Sequence, residues 1–310
     1  MVELHDYHDA VLVDEVLELL EPRGEGFVLD GTVGGGGHAL AILEACGGCR
    51  LLAVDRDPEA LEQAKRTLAE HRDRVRYLHA RFDEAPLDPE VRDRGLDGAL
   101  FDLGVSSHQL DADERGFAFR RGVALDMRMD QAVERGARVF LQESDEDRLI
   151  EVFREYGEEQ RARRLAREVI KRRQTEAFET SDQLVAAMAV TYDRPPSARD
   201  KARIFQAVRI AVNDELGALE RALPAVRDSL NDGSVLVVIA YHSLEDRIVK
   251  NAFREWSRSC VCPPEIPICM CRGEALGETL TRKPIRPSED EVERNPRARS
   301  ARLRAWRRAA

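Results

Sequence analysis

The residues best suited to chemistry sit at the ends of apolar runs. Residues 30 to 38 read DGTVGGGGH, five glycines in nine positions, where a chain can turn sharply and let a ligand approach backbone amides without meeting a Cβ. Gly34, Gly36 and Ala39 match the spacing of the dinucleotide-binding fingerprint with alanine in its last place. Asp55 follows the glycines by about twenty residues, the interval at which an acid accepts hydrogen bonds from ribose hydroxyls. Asp102 ends a further apolar run and belongs beside the same crevice. Together these residues predict a site for an adenosine-containing cofactor, with a plain tight turn and helix-capping acids as the alternatives. No Gly-Lys-Ser/Thr follows the glycines, which argues against a phosphate-binding loop. A nicotinamide oxidoreductase and a methyltransferase both use a glycine turn followed by an acid, so the turn does not separate them.

His242, Ser243 and Glu245 follow an apolar run and belong on the same rim, where His242 is either a substrate contact or a structural histidine. Ser106 and Ser243 lack the Gly-x-Ser-x-Gly turn of a hydrolase nucleophile. Cys260, Cys262, Cys269 and Cys271 form two C-x-C pairs within CVCPPEIPICMC. Four thiols so close suit a structural zinc, but zinc pairs are usually spaced C-x(2-4)-C, and a reduced loop is the expected state. Cys46 and Cys49 form a C-x-x-C that is also expected to be reduced, because disulfides are rare in the cytoplasm.

The runs FVLD at 27 to 30, RLLAVD at 50 to 55, GALFDL at 98 to 103 and SVLVVIAY at 234 to 241 predict the strands that position these residues. Helix-length segments, 39 to 44 and 58 to 70, lie between them, and the alternation predicts a parallel sheet covered on both faces. From 110 to 201 no strand pattern appears. Ser144 to Asp147 reads as a capping box before Leu149, Ile150, Phe153 and Tyr156, and Thr180 with Gln183 caps a second helix ending at Tyr192. The expected organisation is an α/β domain from 1 to 108 and 205 to 310, with a helical domain of 109 to 204 inserted. Residues 278 to 288 and 300 to 307 predict an antiparallel edge pair.

The chain has 310 residues, 43% of them apolar and 34% charged, the balance of a globular protein with a packed core. Glu3, Asp6, Asp9 and Asp14 interrupt the N-terminal stretch where a signal peptide needs an apolar run, and no segment approaches the roughly 20 apolar residues of a membrane span. A cytoplasmic location without membrane association is expected. A net charge of -10 opposes nucleic-acid binding by the chain as a whole, although a local patch can act against the global sign. Two basic stretches do so: Arg161, Arg163, Arg164, Arg167, Lys171, Arg172 and Arg173, then Arg294 to Arg308. Each is a solvated helix face, a charged tail or an RNA contact.

Longer words separate the two cofactor chemistries. DGTVGGGGH, AVDRDP at 53 to 58, FDLGVSSHQLD at 101 to 111, ERGFAF at 114 to 119, LDMRMD at 125 to 130, FQAVRIAVNDEL at 205 to 216, YHSLEDRIVK at 241 to 250 and NPRARSARLR at 295 to 304 occur in order along the chain. In this the sequence resembles the bacterial ribosomal RNA small-subunit (cytosine-N4)-methyltransferase family. Val123 and Ala124 stand where that family commonly has Gly-Pro. The resemblance implies a class I (Rossmann-like) S-adenosylmethionine-dependent methyltransferase sheet with an inserted helical domain for substrate recognition. It also implies methylation of a decoding-centre cytosine amine in 16S rRNA, with the small ribosomal subunit as partner. Carried over by position, the S-adenosylmethionine contacts are Gly36, Gly37, His38, Asp55, Phe82, Asp102 and Gln109. A homodimer is compatible with the sequence, which does not fix the oligomeric state.

A cytosine amine is a poor nucleophile, because its lone pair is delocalised into the ring. Acceptors aimed at its protons favour the nucleophilic form and take up developing positive charge. Asp102, the Leu103 carbonyl, Ser106 and His242 are the candidates for that task. The competing functions are a nicotinamide oxidoreductase and a ribosome-assembly factor that keeps a cofactor fold without catalysis.

Overall fold

The computed structural model of the protein describes residues 10–262 and 270–310. They divide into two compact units, one of residues 10–104 with 216–310 and one of 105–215. The first contains a seven-stranded sheet: β1 (Phe27–Asp30), β2 (Arg50–Asp55), β3 (Val75–His79), β4 (Leu96–Asp102), β5 (Leu230–Ala240), β6 (Gly277–Thr279) and β7 (Arg302–Arg308). Their spatial order is β3-β2-β1-β4-β5-β7-β6. The first five are parallel, and β7 runs antiparallel between β5 and β6.

The four predicted runs form strands because their apolar side chains serve both faces. Val28, Leu51, Ala53, Leu100, Val237 and Ile239 pack into one core, and Phe27, Leu29, Leu52, Ala99, Phe101 and Val238 into the other. That is the two-sided burial of a parallel sheet. Helices α1 (Val13–Leu20), α2 (Gly37–Ala45) and α3 (Pro58–Thr67) precede or connect the first three strands, and α4 (Pro89–Arg94) leads into β4. The start of α3 is written locally: Pro58 takes the first helical position and the Asp57 carboxylate accepts from the Glu59 amide at 3.0 Å.

Residues 105–215 form a helical unit with its own core, built on Phe117, Leu141, Phe153, Leu165, Phe178, Leu184 and Phe205. Its helices are α5 (Ser107–Asp111), α6 (Ala137–Glu143), α7 (Glu146–Glu151), α8 (Ala162–Arg173), α9 (Ser181–Tyr192) and α10 (Ala198–Asn213). The whole of α10 belongs to it, so the chain leaves this unit past residue 213. The predicted Thr180–Gln183 box caps α9. At α7 the cap is Asp145 rather than Ser144, its carboxylate accepting from the Arg148 amide at 2.8 Å. Beyond α7 residues Val152–Tyr156 widen into a π-helix, which takes Phe153 and Tyr156 off α-helical spacing. Two ties hold the LDMRMD segment within the unit: Asn213 Oδ1 accepts from the Met129 amide at 2.9 Å, and its Nδ2 donates to the Met127 carbonyl at 2.7 Å.

Helices α11 (Glu215–Ser229), α12 (Ser243–Trp256) and α13 (Glu289–Arg294) complete the described elements. The C-terminal edge pair exists but is shorter than expected on one side. Only Gly277–Thr279 pairs as a strand with β7, and beyond it Ile285 makes one isolated bridge to Leu303. Pro284 and Pro287 flank that bridge and have no amide hydrogen to extend the ladder. The expectation of reduced thiols at Cys46 and Cys49 is corrected, because the two are joined as a disulfide. The turn after α2 brings their Cα atoms to 5.5 Å, a separation a disulfide spans.

Candidate active site

The sheet order contains a reversal. The chain moves outward from β1 through β2 to β3, then returns to place β4 on the other side of β1. Ligands of open α/β sheets bind at such a switch point, beyond the carboxyl ends of the strands. Register determines which residues stand there. Asp30 is level with Ala53 and Leu100, so Asp55 and Asp102 each project two residues further on the same face of the sheet. Asp102 is level with Ile239, which places Tyr241 two residues on, again on that face.

The glycine turn runs from β1 into α2 directly above this edge. A Cβ at Gly31 would drive into the ring of Phe101. Gly36 caps α2 with φ of 90°, a left-handed conformation natural to glycine, and no side chain accepts from the first turn of the helix. The Asp55 carboxylate bridges turn and helix: Oδ2 accepts from the Gly34 amide at 2.9 Å and Oδ1 from the Asp57 amide at 2.8 Å. Phe82, just beyond β3, packs on Phe101 with ring centroids 5.1 Å apart.

Three carboxyl groups at one sheet edge make an unusual electrostatic environment. Desolvation pushes Asp30 up to about 7, offset in part by His38 and a hydrogen bond from the Thr32 amide, while Asp102 and Asp55 push it further up. Desolvation likewise raises Asp55 to about 6 against the two backbone amides it accepts from. Asp102 is raised by burial, opposed by His38 and by the Tyr241 hydroxyl, which donates to Oδ1 at 2.9 Å. Tyr241 is itself raised, by burial first and then by the Asp102 charge. The Thr32 hydroxyl oxygen accepts from the Asp102 amide at 2.6 Å, tying the glycine turn to the end of β4.

His38 completes the cluster, and its hydrogen bonds restrict where a proton can be. Nε2 lies 2.9 Å from the Val11 carbonyl, which can only accept, so Nε2 carries a hydrogen. Nδ1 faces Asp102 Oδ2 at 3.6 Å. A neutral ring would turn a lone pair toward a carboxylate there. The arrangement can therefore bind donors at Asp55, accept a proton at Asp102 and pass it to His38.

The sequence-predicted cofactor residues Gly36, Gly37, His38, Asp55, Phe82 and Asp102 all lie in the sheet unit, at or near this edge. Ser106 and Gln109 belong to the helical unit and engage each other: the Ser106 amide donates to Gln109 Oε1 at 3.1 Å, and the Gln109 amide to Ser106 Oγ at 3.2 Å. His242 is the N-cap of α12, its Nδ1 accepting from the Glu245 amide at 3.4 Å. Its Nε2 stands 3.0 Å from Glu245 Oε1 but outside hydrogen-bonding geometry. Of the cysteine cluster, Cys260, Cys262 and Cys271 are described and Cys269 lies outside the described residues. Asp30, Thr32 and Tyr241 were missed as site residues. Asp30 was visible as the acid ending FVLD, whereas nothing local to Tyr241 signals that β5 will place it against Asp102.

The basic stretches divide. Arg302 and Arg304 reach Asp246 of α12, and Arg308 donates to the carbonyls of Arg227 and Asp228. At the start of α8 and along it, Arg161, Arg163, Arg164, Arg167 and Lys171 line an open depression with Glu168, where Asp193 pairs with Arg161 and Arg164 and Glu146 with Arg167.

Comparison with known proteins gives a consistent result. A profile of the MraW methylase family matches residues 5–309. The protein named "Ribosomal RNA small subunit methyltransferase H" from Gemmatimonas aurantiaca is 51% identical over 308 residues, covering 98% of this chain and 96% of that one. Proteins of the same name from Heliobacterium modesticaldum and Brevibacillus brevis are 46% and 42% identical, over 96% and 98% of this chain and 97% and 98% of theirs.

Proposed function

The chain belongs to the MraW methylase family, and from that premise we propose that it uses S-adenosylmethionine to methylate the N4 amine of a decoding-centre cytidine in 16S rRNA of the small ribosomal subunit. The observation that carries the substrate class is the near full-length identity of 51% to a small-subunit rRNA methyltransferase. Such a substrate assigns the protein's work to the cytoplasm, and no helix among the described residues is long and apolar enough to cross a membrane.

The residues at the switch point fit the cofactor. Asp55 is desolvated and accepts from two backbone amides, and ribose hydroxyls would add the donors a buried carboxylate needs. The glycine turn leaves room beside the first turn of α2, and Phe82 would lie along an adenine face. When bound, S-adenosylmethionine supplies a methyl group already activated by its sulfonium sulfur.

The protein's part is to place the amine in line with that methyl group and to receive the proton the amine gives up. Asp102 is the proposed acceptor. Tyr241 donates to its Oδ1, which orients the carboxylate and favours its ionised form against the effect of burial, and Oδ2, on the side of His38, would receive the proton. A proton arriving at Oδ2 is shared with His38 Nδ1, and Val11 fixes the ring for that role. His242, as the cap of α12, sets the start of the helix that follows β5. The helical unit takes the role of substrate recognition, with the arginines of α8 as its cationic face.

Incubation with labelled S-adenosylmethionine and small subunits lacking the modification should put label into RNA, recovered after digestion as N4-methylcytidine. Label in 5-methylcytidine alone, or in protein alone, would refute the amine assignment.

A further inference from the structure

The cysteine-rich loop between α12 and β6 takes no part in the chemistry above. Three of its thiols nevertheless converge. The sulfurs of Cys260, Cys262 and Cys271 all lie within 4.8 Å of one another, and those of Cys260 and Cys271 are 3.8 Å apart. A tetrahedral zinc with bonds of about 2.3 Å to sulfur separates its ligands by about 3.8 Å. Cys260 and Cys271 thus stand at the separation of two ligands of one zinc, and Cys262 lies close enough to join them.

Backbone amides around them reach the sulfurs and hold them in place. The amide of Val261, between the first two cysteines, donates across the loop to Cys271 Sγ at 3.4 Å. Reciprocally, the amide of Met270 donates to Cys262 Sγ at 3.4 Å. Each C-x-C segment thus turns its central N–H toward a sulfur of the opposite segment. Such outer contacts orient ligands at metal centres. The tight C-x-C spacing, unusual for zinc, is accommodated because the ligands come from two segments facing each other. Arg272 closes the base of the loop, donating to the carbonyls of Glu255 at 2.7 Å and Arg258 at 3.1 Å.

We propose that Cys260, Cys262 and Cys271 bind a zinc ion beyond the C-terminal end of α12. On binding, the thiols give their protons to solvent and the three thiolates coordinate the metal, leaving one tetrahedral position for a further donor. Soft thiolates select zinc over magnesium or calcium, and the site is structural because metal-ligand bonds tie Cys271 to the segment that follows α12.

The test uses the full chain, reduced, stripped of metal, loaded with zinc chloride and desalted. Elemental analysis should find about one zinc per chain, and cobalt(II) in its place should give a thiolate-to-metal charge-transfer band. The Cys260→Ser/Cys271→Ser double variant should lose both signals, and the Cys46→Ser/Cys49→Ser variant should keep them. Because serine variants can misfold, the parent protein provides a second readout: chelation should speed proteolysis within 258–272, and added zinc should restore protection. Zinc far below one equivalent in reduced parent protein would overturn the proposal. So would a cobalt band that survives the double variant, or a Cys260–Cys271 disulfide in place of metal on mass mapping.

Discussion

Tyr241 donates one hydrogen bond, to Asp102, and that bond stabilises the ionised form of the acid the mechanism needs. Tyr241→Phe removes it without removing the ring, so the Asp102 carboxyl should titrate at still higher pH. The acid limb of kcat/KM should move upward accordingly, and an unmoved limb would exclude Asp102 as the acceptor. Asp55 has a different task. Asp55→Ala removes a charged acceptor worth about 1.5 to 3 kcal/mol, so S-adenosylmethionine affinity should fall by about ten- to a hundredfold in calorimetry. Equal affinity in a folded variant would end the ribose assignment. Among the site residues, those legible in sequence announce themselves locally, as glycines in a row or an acid at the end of an apolar run. Asp30 and Tyr241 acquire their character from neighbouring strands, Asp30 by burial between β2 and β4 and Tyr241 by the register of β5 against β4. No local pattern carries that information.

The same division holds for whole elements. β1, β2, β4 and β5 were legible because both of their faces are apolar. β3, VRYLH, is an edge strand with no fully buried residue, and its mixed composition resembles a loop. The π-helical turn after α7 likewise has no sequence signature distinct from a continued helix. Where α12 meets β7, a charge cluster sits beside the apolar contact of Trp256 with Trp306. Burial alone would raise Asp246, but the hydrogen bond and charge of Arg304, with Arg302 beside it, hold its carboxyl below the ordinary value. Arg304 is itself only 6% exposed. Asp246→Ala leaves that guanidinium buried without its carboxylate, and urea unfolding should show a loss of about 1.5 to 3 kcal/mol. An exposed pair would lose under about 1 kcal/mol, and a loss that small would assign this contact to the surface. Adding Arg304→Met should recover part of the loss, because the buried charge is then gone.

Across the whole molecule, the acids at the sheet edge link stability to pH. In the folded chain Asp30 and Asp55 hold protons up to about 7 and about 6, whereas the unfolded chain releases them near 4. Their contribution to stability is therefore largest below about 4 and falls as pH rises toward about 7. Asp30→Asn keeps the acceptor for Thr32 but not the titration, so the variant should gain stability on the parent steadily over that interval in denaturant titrations. Parallel curves would show that Asp30 does not titrate there. Substrate binding has its own charge dependence. Replacing Arg163, Arg164 and Arg167 by Ala should weaken binding to the small subunit at low salt, flatten the log–log salt dependence by about 2, and leave cofactor affinity alone. Equal binding at low salt would return α8 to a solvated face. The interruption of the sheet unit by residues 105–215 also has a consequence during synthesis. β4 emerges from the translating ribosome with one edge open, and its partner β5 follows only after the 127 residues of 103–229, a delay of roughly 6 to 25 s at usual elongation rates. For that interval β4 presents an unpaired edge. The order of translation thus requires that this edge be kept from pairing elsewhere until β5 has been made.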